Sequence, residues 1–301
     1  MTGDALSGLC LVVPTYEPPI DLPSRLDRFR QAGLLEMVVV DDGSSTASAA
    51  NVLAGVGAVG ATVVRRDRNA GIASSLNDGV RAALERGAKY VLTLDQDSDL
   101  EPEGIRAAVE WLAAARGSAS NVWAVSPAVI DGQPWPSTRL MGSGSIPLEP
   151  IQSGLIIDVA AFESVGLFQE DLVIDGVDTE FWLRLLRRGM IVQSVAGYSM
   201  QHRLGEQLPA GWPVSVLRPD IRFSYHGPRR RYYMTRNRML LVRAHGSRFP
   251  AWAFRKALGE IIDLAMSLLY GPRFGMQAVA VAVGFADSVR NKTGPAPAWL
   301  A

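Results

Sequence analysis

The sequence predicts an α/β fold, a mostly parallel central sheet flanked by helices. Short apolar runs are continuous rather than alternating, as strands covered on both faces require. Segments of helical period separate them, and most runs stop at proline, glycine or acidic residues. LCLVVP (9–14) is the first such strand, ended by Pro14, and LPSRLDRFRQAG follows with helical spacing and a closing Gly33. LEMVVVDDGS (35–44) is a second strand running into acids, and ATVVRR (61–66) a third. ASSLNDGVRAALERG (73–87) predicts a helix with Leu76, Val80, Ala83 and Leu84 on one face and Gly87 as its stop. KYVLTLD (89–95) is the fourth strand, and PEGIRAAVEWLAAARG (102–117) a helix opened by proline.

Beyond residue 120 the pattern loosens. VWAVSPAVI (122–130) reads as a strand, 132–150 as a Gly/Pro/Ser-rich loop, and IQSGLIIDVAAFESVG (151–166) as strand then helix. DTEFWLRLLRRG (178–189) predicts a helix with Asp178 as N-cap, and MIVQSVAG (190–197) another strand. Residues 205–232 read as loop, and the chain from about 233 to 290 as apolar helices. The expected organisation is a catalytic domain at 1–232, with halves at about 1–120 and 121–232, and a C-terminal helical extension at 233–301.

The 301 residues carry 30 Lys+Arg against 30 Asp+Glu, so no global field draws the chain to nucleic acid and any basic site must be local. The single cysteine, Cys10, lies in an apolar run and reads as a buried thiol in a reducing compartment. The N-terminus shows no basic region followed by an apolar stretch, and IIDLAMSLL and AVAVAVGF are too short to span a bilayer, so the expected location is cytoplasmic.

Ligands of parallel sheets bind beyond the carboxyl ends of the strands. Three strand ends here are polar: PTYEP (14–18), DDGSS (41–45) and DQDSD (95–99). Asp95 and Asp97 form a D-x-D pair that suits Mg²⁺ or Mn²⁺, hard cations that bind carboxylates and leave positions for phosphates; a solvated turn is the other reading. Asp99, Glu101 and Glu103 fit the solvated start of the next helix. Asp42 can accept hydrogen bonds from a base or ribose, or belong to an ordinary Asp-Gly turn. Arg68, Asn69 and Gly71 precede a helix, whose N-terminal amides suit phosphate or base edges.

In order and spacing, VVPTYEP, VVVDDGS, RNAGIASSLNDGV, LTLDQDS and VDTEFWLRLLRRG resemble the inverting nucleotide-sugar glycosyltransferases of family 2, over roughly residues 9–205. The resemblance implies the GT-A (Rossmann-like) fold and a donor site formed by Pro14, Thr15, Tyr16, Asp42, Arg68, Asn69, Gly71, Asp95 and Gln96. It implies Asp97 as the ligand of Mn²⁺ or Mg²⁺, with His202 of QHRLGE as a further metal or diphosphate contact. It implies Asp178 as the catalytic base, although valine precedes it where the family has glutamate; Asp175 and Glu180 are competing carboxylates. LDQDS, HRLG and RRRYYMTRNR look most like bacterial rhamnosyltransferases using dTDP-L-rhamnose, which act on a cell-surface polysaccharide or its lipid-linked precursor. A UDP-galactofuranose or other UDP-sugar transferase is the alternative within the fold. A non-catalytic nucleotide-binding or membrane-associated module is the alternative outside it.

PRRRYYMTRNRMLLVR (228–243) holds six arginines, whose forks suit phosphate. Arg231 and Arg236, with Glu180, are the expected phosphate or acceptor contacts. RNA would fit arginine interleaved with tyrosine, but the zero net charge opposes it. For the tail 252–292 three readings stand side by side: packing on the catalytic domain, a second subunit in a homo-oligomer, or peripheral contact with the membrane face.

Overall fold

The structure, a computed structural model, describes residues 6–118, 120–141, 144–202, 207–209, 216 and 222–300. The chain forms two compact units, Met1–Glu170 with Val177–Arg203, and Asp171–Gly176 with Leu204–Ala301.

In the first unit, β1 (Leu9–Thr15), α1 (Leu22–Gln31), β2 (Glu36–Asp41), α2 (Ala47–Ala58), β3 (Thr62–Arg65), α3 (Ile72–Glu85) and β4 (Tyr90–Thr93) alternate regularly. β5 (Ser98–Leu100), α4 (Pro102–Gly117), β6 (Val122–Ile130), β7 (Gln133–Pro134), β8 (Ser137–Met141), β9 (Gly144–Pro147), β10 (Leu155–Asp158), α5 (Ala160–Val165), α6 (Val177–Arg187) and β11 (Ile191–His202) follow. The main sheet runs β3-β2-β1-β4-β10-β6-β11-β9-β8, with β5 against β11 and β7 against β6. β1, β2, β3 and β4 pair in parallel, as do β6 and β11, while β10 is antiparallel to both β4 and β6. This is the expected mostly parallel sheet with helices.

The apolar runs become the buried middle of that sheet. Every residue of β1 is buried, and Val38, Val39 and Val40 of β2 are fully enclosed. Leu22, Leu26 and Phe29 of α1 and Val52, Leu53 and Val56 of α2 join one core with Leu9, Leu11, Val39 and Leu92. Cys10 is buried as expected, and its enclosure in apolar surroundings pushes the thiol up to about 12, so it is inert packing.

Several elements differ from the sequence reading. α2 was not legible, because AANVLAGVGA has neither a charged face nor a clear helical stripe; Thr46 starts it, its hydroxyl accepting the Ala49 N–H at 3.2 Å. The loop read at 132–150 contains β7, β8 and β9. Asp99 lies in β5 and not in a helical turn, opposite Gln201 of β11. α6 starts at Val177, so Asp178 falls inside the first turn and not at the N-cap.

The second unit holds a two-stranded sheet, β12 (Gln207–Pro209) with β13 (Arg222–Ser224), and helices α7 (Pro228–His245), α8 (Pro250–Tyr270) and α9 (Phe274–Val289). Much of the loop expected at 205–232 lies outside the described residues. Tyr232, Tyr233, Ala280, Ala296 and Leu300 form its core. Asn237 explains why residues 171–176 belong here: its Nδ2 donates to the carbonyls of Leu172 (2.9 Å), Ile174 (2.8 Å) and Asp175 (2.8 Å). No helix among the described residues is long and apolar enough to cross a membrane.

Candidate active site

The sheet order sets β2, β1 and β4 side by side, all parallel, so their three polar carboxyl ends are contiguous. The join is tight. Thr15 pairs with Asp41, and the Asp42 N–H donates to the Thr15 carbonyl at 2.8 Å. Asp41 is wholly enclosed and accepts from the Ser44 N–H (3.2 Å) and from Arg65 Nε (3.1 Å). Glu17, with φ of 49°, bridges to the next loop by accepting the Ser45 N–H at 2.9 Å and the Thr46 hydroxyl. Those bonds hold its carboxyl below the ordinary value, the Thr46 contact first.

Asp42 is 5% exposed and receives two backbone N–H groups, Ala70 at 3.0 Å and Gly71 at 2.8 Å, with Arg66 Nε at 3.3 Å. The carboxylate therefore anchors the loop that leads into α3. Gly43 completes this contact: at φ of 78° it lies so close to the Arg68 backbone that a Cβ would sit 2.7 Å from it. Arg68 and Asn69 are left exposed at the rim.

Beyond β4, Gln96 braces the first loop. Its amide accepts the Tyr16 N–H (3.0 Å) and donates to the Tyr16 carbonyl (3.1 Å), and the Thr15 hydroxyl bonds the same Oε1. Pro14 is buried within β1, and Tyr16 is 47% exposed. Arg25 of α1 fixes the other side, donating to the carbonyls of Ser98 (2.6 Å) and Gln96, while Arg28 pairs with Asp99. Neither arginine was identifiable as a site residue from the sequence, since both look like the solvated face of an amphipathic helix.

Asp95, Asp97 and His202 converge, each offering one ligand atom within 4.8 Å of the others. His202 Nδ1 is 3.9 Å from Asp97 Oδ1. The histidine ends β11, and the β5–β11 pairing sets it opposite Ser98. A hydroxyl chain orders the cluster: the Asp95 N–H donates to Ser153 Oγ (3.0 Å), which donates to Ser98 Oγ (2.8 Å), which meets His202 Nδ1 (2.6 Å). The His202 N–H donates to Asp131 Oδ1 at 2.8 Å. Two carboxylates and an imidazole, half-open to solvent and held by a polar outer layer, fit a divalent cation in number and type of donor. Ser153 and Asp131 carry no sequence signal, because only the folded sheet brings them within reach.

Asp178 stands in the first turn of α6, half-buried, its Oδ1 accepting the Thr179 N–H at 2.7 Å; the Thr179 hydroxyl bonds Glu149. Glu180, in contrast, is 4% exposed and bound to Arg184, with Nη2–Oε2 at 2.7 Å and Nε at 2.8 Å from both oxygens. Arg184 also donates to the carbonyls of Val165 and Leu167, so this pair ties α6 to the preceding loop. Asp175 belongs to the second unit and pairs with Arg230 at 3.2 Å.

The two arginines expected to meet phosphate are both fully buried in the second unit. Arg231 Nη2 donates to Ser267 Oγ at 2.6 Å, and burial lowers its pKa. Arg236 donates to the carbonyls of Gly294 (2.6 Å) and Leu172 (3.3 Å) and lies over the rings of Tyr232 and Tyr233. The Arg236 fork is taken up by the chain's own carbonyls and aromatic rings, while Arg231 is held through Nη2, with Nη1 3.9 Å from Glu260.

A sheet that gathers polar loops at three adjacent parallel strand ends, with a D-x-D pair at the last, has the architecture of the GT-A fold. Comparison with known proteins agrees. Residues 10–160 match the model for "Glycosyl transferase family 2". The chain is 30% identical, over 254 residues (79% of this chain and 80% of that protein), to the dTDP-rhamnosyl transferase RfbF of Shigella flexneri. Its fold is similar to the mannosyltransferase PcManGT of Pyrobaculum calidifontis, solved with GDP-Man and Mn²⁺ (TM-score 0.58, 17% identity, 94% of this chain and 87% of that one). It is also similar to S. aureus TarS 1–349, solved with UDP-GlcNAc (TM-score 0.59, 16% identity, 94% and 81%). The chain belongs to glycosyl transferase family 2, and it is a transferase enzyme.

Proposed function

We propose that this enzyme moves L-rhamnose from dTDP-L-rhamnose, with inversion, to a hydroxyl of a bacterial surface polysaccharide or its lipid-linked precursor. The observation that carries the choice of donor is the 30% identity, along most of both chains, to a dTDP-rhamnosyl transferase. Asp178 takes the proton of the acceptor hydroxyl as the new bond to the anomeric carbon forms. The bond from that carbon to the diphosphate breaks on the opposite face, and dTDP leaves with the electron pair. Asp95, Asp97 and His202 would hold Mn²⁺ or Mg²⁺, which offsets the charge of the departing diphosphate. Gln96 and Asp42 keep the loops around the nucleotide in place through the backbone of Tyr16 and of Ala70 and Gly71.

Purified protein incubated with Mn²⁺ or Mg²⁺, a lipid-linked glycan acceptor and either dTDP-rhamnose or UDP-sugars tests this reading. Rhamnose transfer with release of dTDP is the expected result. Transfer from a UDP-sugar alone would overturn the choice of donor, and nucleotide-sugar binding without turnover by folded protein would overturn the chemistry.

A further inference from the structure

The C-terminal helices carry a feature that sugar transfer does not use. α8 spans Pro250–Tyr270, yet only Trp252 and Ser267 are buried. Phe254, Leu258, Ile261, Ala265 and Leu269 recur at intervals of four, three, four and four residues, the spacing of one helix face, and all are exposed. Phe254, Ile261 and Leu269 are 70%, 64% and 71% exposed, so this is an apolar stripe turned outward. α9 repeats the pattern with Phe274, Ala282, Phe285 and Val289. Its opposite face is packed on α7, where a Cβ on Gly284 would stand 2.8 Å from the Tyr232 carbonyl. A soluble chain seldom leaves a contiguous apolar surface of this extent open without a partner.

The charges around the stripes indicate what covers them. From Pro250 to Leu300 the only acids are Glu260, Asp263 and Asp287, against five cations, Arg255, Lys256, Arg273, Arg290 and Lys292. Glu260 and Asp287 turn inward toward partners, and Asp263, half-exposed, leans toward Arg238. Glu260 pairs with Arg238 of α7 and accepts the Thr235 hydroxyl at 3.1 Å, and Asp263 lies 3.5 Å from Arg238. Asp287 is buried, accepting the Tyr232 hydroxyl at 2.8 Å and facing Lys292 at 3.2 Å. Arg255, beside Phe254, Arg273, at the start of α9, and Arg290, just after Val289, are all exposed. The open face is thus apolar with a cationic margin. A second copy of this chain would set like charges against each other across a two-fold contact, whereas an anionic lipid surface would receive both the apolar side chains and the arginines.

We propose that α8 and α9 form a docking face for an anionic bilayer surface. The helices lie in the plane of the headgroups, with Phe254, Ile261, Leu269 and Phe285 entering the acyl boundary and Arg255, Arg273 and Arg290 at the phosphate level. Exposed Trp299, 56% accessible, adds an aromatic of the kind that favours this depth.

Sedimentation of the full chain with vesicles of phosphatidylcholine, with and without phosphatidylglycerol, tests this directly and needs no sugar donor, so its outcome is separate from that of the transferase assay. Binding should require phosphatidylglycerol, weaken with salt, and fall roughly fivefold for each of Arg273→Ala and Arg290→Ala. Ile261→Glu combined with Phe285→Glu should abolish it, with unchanged far-ultraviolet circular dichroism because both positions are exposed. Three results would overturn the proposal: no binding to either vesicle, binding indifferent to phosphatidylglycerol, or a dimer in sedimentation velocity that Ile261→Glu dissociates while vesicle binding is absent. The last would assign the face to a second copy.

Discussion

Gln96 and Tyr16 are joined by a reciprocal pair of hydrogen bonds, Tyr16 N–H to Gln96 Oε1 at 3.0 Å and Gln96 Nε2–H to the Tyr16 carbonyl at 3.1 Å. The middle residue of the D-x-D pair is thereby a brace between the ends of β4 and β1. Gln96→Ala removes both bonds and the contact to Thr15. Both bonds are solvent-exposed, so water can replace them and the net loss is about 0.5–1.5 kcal/mol, which should appear as a donor KM raised roughly threefold to tenfold with kcat less affected. Gln96→Glu keeps the acceptor but cannot donate to the Tyr16 carbonyl, so it should fall between the two. An unchanged donor KM in Gln96→Ala would show that the loop holds its position without the brace.

The hydroxyl chain from Asp95 to His202 predicts a graded response in metal affinity. Chelation should remove activity, and added Mn²⁺ or Mg²⁺ should restore it. Asp97→Asn deletes a ligand charge and should raise the metal concentration needed for half-activity by more than the roughly 10–100-fold that loss of an outer partner costs. Ser98→Ala leaves the ligands in place but removes the group 2.6 Å from His202 Nδ1, so it should fall within that range. Titration of Mn²⁺ against turnover separates these cases. Equal metal requirements in wild type and Asp97→Asn would sink the assignment.

Asp178→Asn should lower turnover by roughly 10²–10⁴-fold, the usual contribution of a general base. Its binding of dTDP, followed as a rise in thermal unfolding temperature, should persist. The amide can still accept the Thr179 N–H through its oxygen, so the first turn of α6 stays formed. Retained turnover would move the base to another carboxylate.

The parts of this molecule legible in the sequence are those whose signal is local. β1 and β2 are enclosed on both faces and therefore read as unbroken apolar runs; α4 announces itself with Pro102 at its start. The paired acids at 95 and 97 stand out because they interrupt such a run. What escaped the sequence is made by distant contacts. β5 is three residues long and exists through its pairing with β11. Ser153 and Asp131 reach the acidic cluster from loops far along the chain. Arginine was the least informative residue type: Arg25 and Arg28, which look solvated, hold the loop after β4, while Arg231 and Arg236, which look like phosphate ligands, are internal struts.

Glu180 offers a test of structure against contact with substrate. Its carboxylate is fully engaged by Arg184, whose own side chain is 21% exposed. Glu180→Ala leaves that guanidinium with backbone carbonyls alone, and breaking a buried pair costs about 3–5 kcal/mol, with the lower end expected here because Arg184 still reaches water. Urea unfolding should show this loss, while turnover per folded molecule stays near wild type. A large fall in turnover at unchanged stability would return Glu180 to the acceptor site.

His226 predicts the acid response of the second unit. Burial, then the cation Arg230 and more weakly Arg231, lowers its pKa from 6.5 to about 4, although Asp175 and Asp263 pull the other way. The folded chain therefore keeps the imidazole neutral, while the unfolded chain protonates it near its ordinary value. Between those two values the unfolded state binds more protons, so stability is full above pH 6.5 and declines as the pH falls toward 4. Glu170, lowered chiefly by its Asn77 contact, acts in the same direction but only below its ordinary 4.5, so the two windows barely overlap. His226→Gln should flatten the decline in thermal midpoint between pH 6.5 and 4.5 and leave the steeper loss at lower pH intact. An identical pH profile in the two proteins would mean that His226 takes up its proton without unfolding the helices around it.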